Sequence, residues 1–137
     1  MEVREPERET NYITSTKGIK ISVWPEYDEW NSRIESSLFV YSYVIKIENC
    51  GDEGLQLISR SWQIEDASGQ VNRVEGEGVV GRKPYIKPGE YYLYKSFCPL
   101  RTARGSMSGH FTFSNDFGSR FDAKIESFPL SNNELLN

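Results

Sequence analysis

Histidine occurs once in this 137-residue chain, at His110, and cysteine twice, at Cys50 and Cys98. One imidazole and two separated thiols do not make a tetrahedral zinc set, and no acidic residues cluster at ligand spacing, so no metal site and no cofactor is expected. Two cysteines are too few for a disulfide-stapled scaffold, and free thiols are expected. No apolar run approaches the roughly 20 residues that a spanning helix needs. The N-terminus, MEVREPERET, lacks the apolar core of a signal peptide, which points to a cytoplasmic protein without membrane contact. The net charge of -4 works against nucleic acid and anionic lipid as partners of the whole surface. By length the chain is one domain, large enough to bury a single core.

What is present is a succession of short β patterns, and no segment reads as a helix. Residues 1–16 are charged and polar without period and read as a flexible lead-in; the domain proper runs over 17–130, and 131–137 is a tail. Ile19, Ile21 and Val23 alternate with polar residues, and Trp24-Pro25 should end that strand, because proline has no N–H for the ladder. From 38 to 49 the chain places Phe39, Tyr41, Tyr43, Ile45 and Ile47 on one face, the pattern of a central strand. Residues 50–54 turn.

In 55–66 the apolar phase changes, from Leu55 and Leu57 to Ile58, Trp62 and Ile64, which predicts a β-bulge near Leu57-Ile58. A turn at 67–70 returns an antiparallel strand over 71–75. Pro88-Gly89 suits the centre of a type II turn. A strand over 91–97, a loop at 99–106, a strand around Met107, Phe111 and Phe113, a turn at 115–118 and a strand from Phe121 to Glu126 complete the series. About seven strands with Trp62 in the core indicate an all-β fold, an immunoglobulin- or fibronectin-III-like β-sandwich, with a small barrel as the alternative.

The motif that invites a chemical reading is Gly76-Glu77-Gly78-Val79-Val80-Gly81, a match to G-x-G-x-x-G. A dinucleotide fingerprint needs a helix after it, and Pro84 and Pro88 forbid one. A weaker phosphate reading survives, in which the backbone amides of Gly76, Gly78 and Gly81 form a nest and Arg82 and Lys83, with Arg73, supply charge to pyrophosphate or a nucleotide. Against it, Glu75 and Glu77 lie in the same segment, and the glycines are better explained by a chain that crosses between two sheets where a side chain would clash. The turns at 50–54 and 115–118 belong to the same end of the sandwich and make it mixed in charge; the basic loop of Arg101 and Arg104 belongs to the other end.

No catalytic residue is identified: Ser106 lies in no nucleophile elbow, and no base stands beside Cys98. Tyr85, Tyr92, Tyr94 and Phe117 exceed the needs of one core and are read as exposed aromatics suited to a protein partner. An unpaired edge strand leaves a homodimer open, with nothing to choose the edge.

Five stretches in order resemble the ApaG family: IEN-x-GDE (47–53), QL-x-SR-x-W (56–62), GEGVVG-x-x-P (76–84), PGE (88–90) and CPLRT-x-x-GSM-x-G (98–109). The departures are Ser61 where the family usually has histidine, Phe97 in place of a glycine and Ala103 in place of a proline. The resemblance implies a fibronectin-III-like sandwich and no established catalytic activity. It also implies a link to dinucleoside polyphosphates or to cobalt and magnesium homeostasis, and, through related eukaryotic domains, a partner-binding role.

Overall fold

The computed structural model describes residues 2–132, which fold as two antiparallel sheets packed face to face. In chain order the strands are β1 (Tyr12–Thr16), β2 (Ile19–Tyr27), β3 (Phe39–Asn49), β4 (Leu55–Asp66), β5 (Val71–Glu77), β6 (Tyr85–Ile86), β7 (Tyr91–Leu100), β8 (Gly105–Ser114) and β9 (Arg120–Leu130). One sheet has the order β1-β2-β3-β7 and the other β5-β4-β8-β9, with the short β6 also paired to β4. The sandwich expected from strand count is therefore present.

The inward faces follow from alternation. Ile19, Ile21 and Val23 of β2 and Tyr41, Tyr43, Ile45 and Ile47 of β3 meet Leu57, Trp62, Phe111, Phe113, Ala123 and Ile125 from the opposite sheet. Trp62 is the hub, with edge contacts to Tyr43 at 5.7 Å, Phe111 at 6.0 Å and Phe128 at 6.0 Å between ring centroids. Such tilted pairs add to the burial of large rings.

The bulge expected in β4 exists: Leu57 pairs with Phe113 and Ser59 with Thr112, leaving Ile58 as the extra residue. The same device recurs in β9, where Ile125 opposes Gly109 but Phe128 opposes Met107. There the switch of apolar phase from Phe121, Ala123 and Ile125 to Phe128 and Leu130 resembles the end of a strand. It is a bulge instead, and Phe128 and Leu130 are fully buried β9 residues.

Other boundaries differ from the sequence expectations for physical reasons. Residues 12–16, assigned to the lead-in, form β1 on the edge of β2. Before β1 the chain lies over the outer face of that sheet, where the Trp24 indole N–H donates to the Arg8 carbonyl at 2.8 Å and Lys46 pairs with Glu5 at 2.8 Å. The hydrogen bond to Glu5 raises the Lys46 pKa. Pro25 does not end β2, because it lies beyond the reach of β1 and its carbonyl turns to the open side, where Arg8 donates to it. The loop expected at 99–106 shrinks to residues 101–104, since β7 runs through Pro99 to Leu100 and β8 starts at Gly105. Of the tail, residues 133–137 lie outside the described residues.

The turn at 87–90 forms as expected, with Gly89 at φ +82° and the Glu90 amide donating to the Lys87 carbonyl at 2.9 Å. It carries the chain from one sheet to the other, because β6 pairs with β4 and β7 with β3.

Candidate binding site at the glycine-loop end

The glycine motif does not cross between sheets. Gly76 and Glu77 finish β5, residues 78–84 loop outward, and β6 returns to the same edge of β4. Within the loop, Val79 and Arg82 exchange both backbone hydrogen bonds, at 2.8 and 3.0 Å. Val80 (φ +46°) and Gly81 (φ +76°) are thus the central pair of a two-residue turn with both φ angles positive, a type I′ geometry. Val79 is fully buried and anchors the loop to the core.

Two glycines of the motif have packing explanations. The Arg60 guanidinium lies against Gly76, where a Cβ would fall 2.8–3.0 Å from its atoms, and donates to the carbonyls of Glu77 at 3.0 Å and Gly78 at 3.1 Å. A Cβ on Gly78 would lie 2.2 Å from the Arg82 carbonyl oxygen. Arg60 and the motif are therefore one local unit, although 15 residues of chain lie between Arg60 and Gly76.

The structure brings Gly76, at the end of β5, together with Gly78, Gly81, Arg82 and Lys83 of the loop that follows, but it commits much of their polar capacity. The Gly78 amide donates to the Ile58 carbonyl, and the amides of Val79 and Arg82 serve the turn. Lys83 is 3.3 Å from Glu77. The amides of Val80 and Gly81, at the tip, have no acceptor among the described residues.

The turns at 50–54 and 115–119 reach the same end. Tyr85 donates its hydroxyl to Asp116 at 2.9 Å, which raises the Tyr85 pKa, and beside it Phe117 projects with 89% exposure. Lys17, Asp52, Glu53 and Arg120 surround a cleft of about 200 Å³ there, so the end is mixed in charge. Asn49, 1% exposed, stitches this end from within: its side-chain amide donates to the carbonyls of Glu53 at 2.7 Å and Ile86 at 2.9 Å and accepts from Gly51 at 3.0 Å.

Of the four aromatics expected on the surface, Tyr85 and Phe117 are exposed and Tyr92 is half-buried, but Tyr94 is inside. Tyr94 faces inward on β7 opposite Ile45, and burial raises its pKa well above the usual tyrosine value. Exposure missed in the sequence belongs to Tyr91 and Phe97 on β7 and, outside the strands, to Trp30 and Ile34 at the far end and to Val80. No periodicity could reveal the last three, since they lie in connections.

The far end carries Arg101 and Arg104, with Thr102 accepting from the Ala67 amide at 3.0 Å and donating to the Arg104 carbonyl at 2.7 Å. The nearest approach to a catalytic set lies elsewhere, on the outer face of the second sheet. There Ser61 is the cross-strand partner of His110, and His110 Nε2 is 3.7 Å from Asp122. The strands β4 and β8 that carry Ser61 and His110 are paired on both sides, so the amides beside those two residues serve the ladder and are not left to stabilise an oxyanion. Among the described residues no group of three or more His, Cys, Asp or Glu could hold a metal ion, and no helix is long and apolar enough to cross a membrane. Cys50 is exposed and Cys98 buried, at opposite ends, and both are free.

Comparison with known proteins gives this geometry its relatives. The sequence profile of the ApaG domain matches residues 29–115. Protein ApaG of Brucella abortus (strain S19) is 42% identical over 119 residues, covering 87% of this chain and 92% of that protein. Protein ApaG of Anaeromyxobacter dehalogenans is 44% identical over 115 residues, 84% of this chain and 90% of that protein. The crystal structure of the putative ApaA protein from Bordetella pertussis superposes with a TM-score of 0.80 at 34% identity, covering 90% of this chain and 97% of that one. The chain belongs to the ApaG family.

Proposed function

We propose that this protein is a non-enzymatic binding module of the cytoplasm, which contacts a protein partner through the loops at the glycine-motif end. The observation that carries this reading is Val80, a β-branched residue held at φ +46° with 62% of its surface exposed. A β-branched side chain in the left-handed region is strained, and asparagine would be the relaxed choice beside Gly81. Strain retained at an exposed apolar tip is the mark of a site kept for contact rather than for stability. Tyr85 and Phe117 extend the apolar area, and the interspersed Arg82, Lys83, Asp52 and Glu53 supply charges of both signs, which fits a protein surface better than a polyanion.

The test compares affinity capture by the wild-type chain with capture by Val80→Asn and Phe117→Ser, each verified as folded. Proteins retained by the wild type and lost from both variants are expected. Identical recovery by all three chains, or no specific recovery at all, would overturn the reading.

A second reading, a site for pyrophosphate or a nucleotide, draws on the free tip amides of Val80 and Gly81 beside Arg82. Amide NMR titration with pyrophosphate separates it from the first. Shifts confined to Val80, Gly81 and Arg82 at millimolar ligand would favour the anion, and their absence would remove it.

A further inference from the structure

Strand β5 ends its sheet, and its outer edge meets no other strand among the described residues. The alternation of its backbone is set by two hydrogen bonds: the Asp66 amide donates to the Gln70 carbonyl at 3.0 Å, and the Gly78 amide donates to the Ile58 carbonyl at 2.8 Å. Even-numbered residues therefore turn their N–H and C=O groups towards β4, and Val71, Arg73 and Glu75 turn theirs outward; Glu77 turns outward too, but its carbonyl is taken by the Arg60 guanidinium at 3.0 Å. Unpaired edges of this kind are usually blunted by proline, lysine, a bulge or a covering segment. The other open edge, β7, has Lys95 and Pro99, and β1 lies against β9, where the Thr14 hydroxyl accepts from the Glu126 amide at 3.2 Å. Among the described residues β5 has no proline, lysine, bulge or covering segment; charge is its one protection, and the side chains of Arg73 and Glu75 are exposed without an ion pair or hydrogen bond among the described residues.

From this edge we infer that β5 pairs antiparallel with β5 of a second copy of the chain, about a twofold axis at Val74, joining two sheets into one. This goes beyond the binding reading above and uses a different surface. The strand VNRVEGE is self-complementary about its centre. With the axis at Val74, Arg73 opposes Glu75 of the second copy and Glu75 opposes its Arg73, on the outer face. Val71 opposes Glu77, and Asn72 opposes Gly76, against which the Arg60 guanidinium of the same chain lies. Val74, 41% exposed, meets its own counterpart on the inner face.

Arg73 and Glu75, whose outward N–H and C=O groups are both open, then face each other in two symmetric pairs, as the antiparallel ladder requires, and Val71 faces the remaining outward N–H of Glu77. The Val74 pair falls at a non-hydrogen-bonded site, where strands bring side chains closest, with Cα atoms about 4.5 Å apart. Neighbouring registers fail on stated grounds. Moving the axis to Glu75 sets carboxylate against carboxylate, and moving it to Arg73 sets guanidinium against guanidinium. Slipping one residue sets outward groups against groups already spent on β4. Charge and hydrogen-bond phase thus select the same register, and the partner it fits is a second copy.

Sedimentation equilibrium of the full chain, from about 10 µM to 1 mM, tests the pairing where a small interface of this class would dissociate. A concentration-dependent dimer is expected. Arg73→Glu and Glu75→Arg should each weaken it about tenfold or more, because each variant sets like charges opposite at two symmetric positions. The double variant R73E/E75R exchanges the partners and should restore the dimer. Glu75→Pro removes only an outward N–H, so it should leave the monomer folded by circular dichroism and abolish dimerisation. A chain that stays monomeric across the range would overturn the inference. So would a dimer indifferent to Glu75→Pro, or one that the double variant fails to restore.

Discussion

Replacing Asn49 by alanine tests whether one buried amide holds the glycine-loop end together. The side chain makes three hydrogen bonds, to Glu53, Ile86 and Gly51, and its own backbone exchanges two more with the 87–90 turn, at 2.8 and 3.0 Å. At about 1 kcal/mol each, the three side-chain bonds contribute about 3 kcal/mol. The carbonyl of Ile86, a residue 2% exposed, would also lose its side-chain donor, which adds about 1 kcal/mol or more. A loss of about 3–5 kcal/mol is therefore expected, a large share of the 5–15 kcal/mol typical of a domain. Urea unfolding followed by tryptophan fluorescence should show a lower midpoint with an unchanged slope.

Asn49→Asp sharpens the test, because it keeps the acceptor for Gly51 but points a second oxygen at two carbonyls. Burial and those carbonyls raise the folded-state pKa of the new carboxyl above its unfolded value of about 3.9. A raised acid contributes stability that is complete below the unfolded pKa and is lost as pH rises through the folded pKa. The deficit of Asn49→Asp relative to wild type should accordingly be larger at pH 7 than at pH 4. An alanine variant losing less than about 1 kcal/mol, or an aspartate variant with the same deficit at both pH values, would refute the reasoning.

Val80→Asn should raise stability by about 1 kcal/mol, since asparagine tolerates the left-handed conformation that strains valine, and thermal unfolding reads the gain directly. A destabilised variant would show that the turn does not have this geometry. Phe128→Ala should cost about 3–5 kcal/mol, as expected for a core ring packed on Trp62, Tyr43 and Tyr12; a cost under about 1 kcal/mol would mean that residues beyond 126 merely lie on the surface. Native protein should react with one equivalent of a thiol reagent, at Cys50, and with a second only after unfolding, because Cys98 is buried and its pKa is pushed up to about 11. That shift leaves the Cys98 contribution intact below about pH 9 and removes it as pH rises towards 11, so Cys98→Val should flatten the alkaline loss of stability. An unchanged alkaline slope would argue against the shift.

Alternation by itself settled the central strand, since Tyr41, Tyr43, Ile45 and Ile47 all fall on one face, and that face is buried. The β4 bulge was equally legible, because side-chain period two turns one inserted residue into a visible change of phase. The same signal at Ile125–Phe128 resembled a strand end, as a phase change near a terminus looks like loss of pattern. Pro25 and Pro99 were legible as prolines but not as edge residues, because a proline ends a strand only where its missing N–H is needed.

The site divides in the same way. Its glycine motif, its prolines and its mixed charge are written in the chain, and so is the resemblance that places it in a family. Only the tertiary structure decided that the motif stays on one sheet edge, that Arg60 rests on Gly76, that Tyr94 faces inward and that Val80 stands strained at the tip. The order of residues sets local period and turn chemistry. Which edges remain open and which loops share an end depend on how distant strands pair, and that is a property of the folded chain alone.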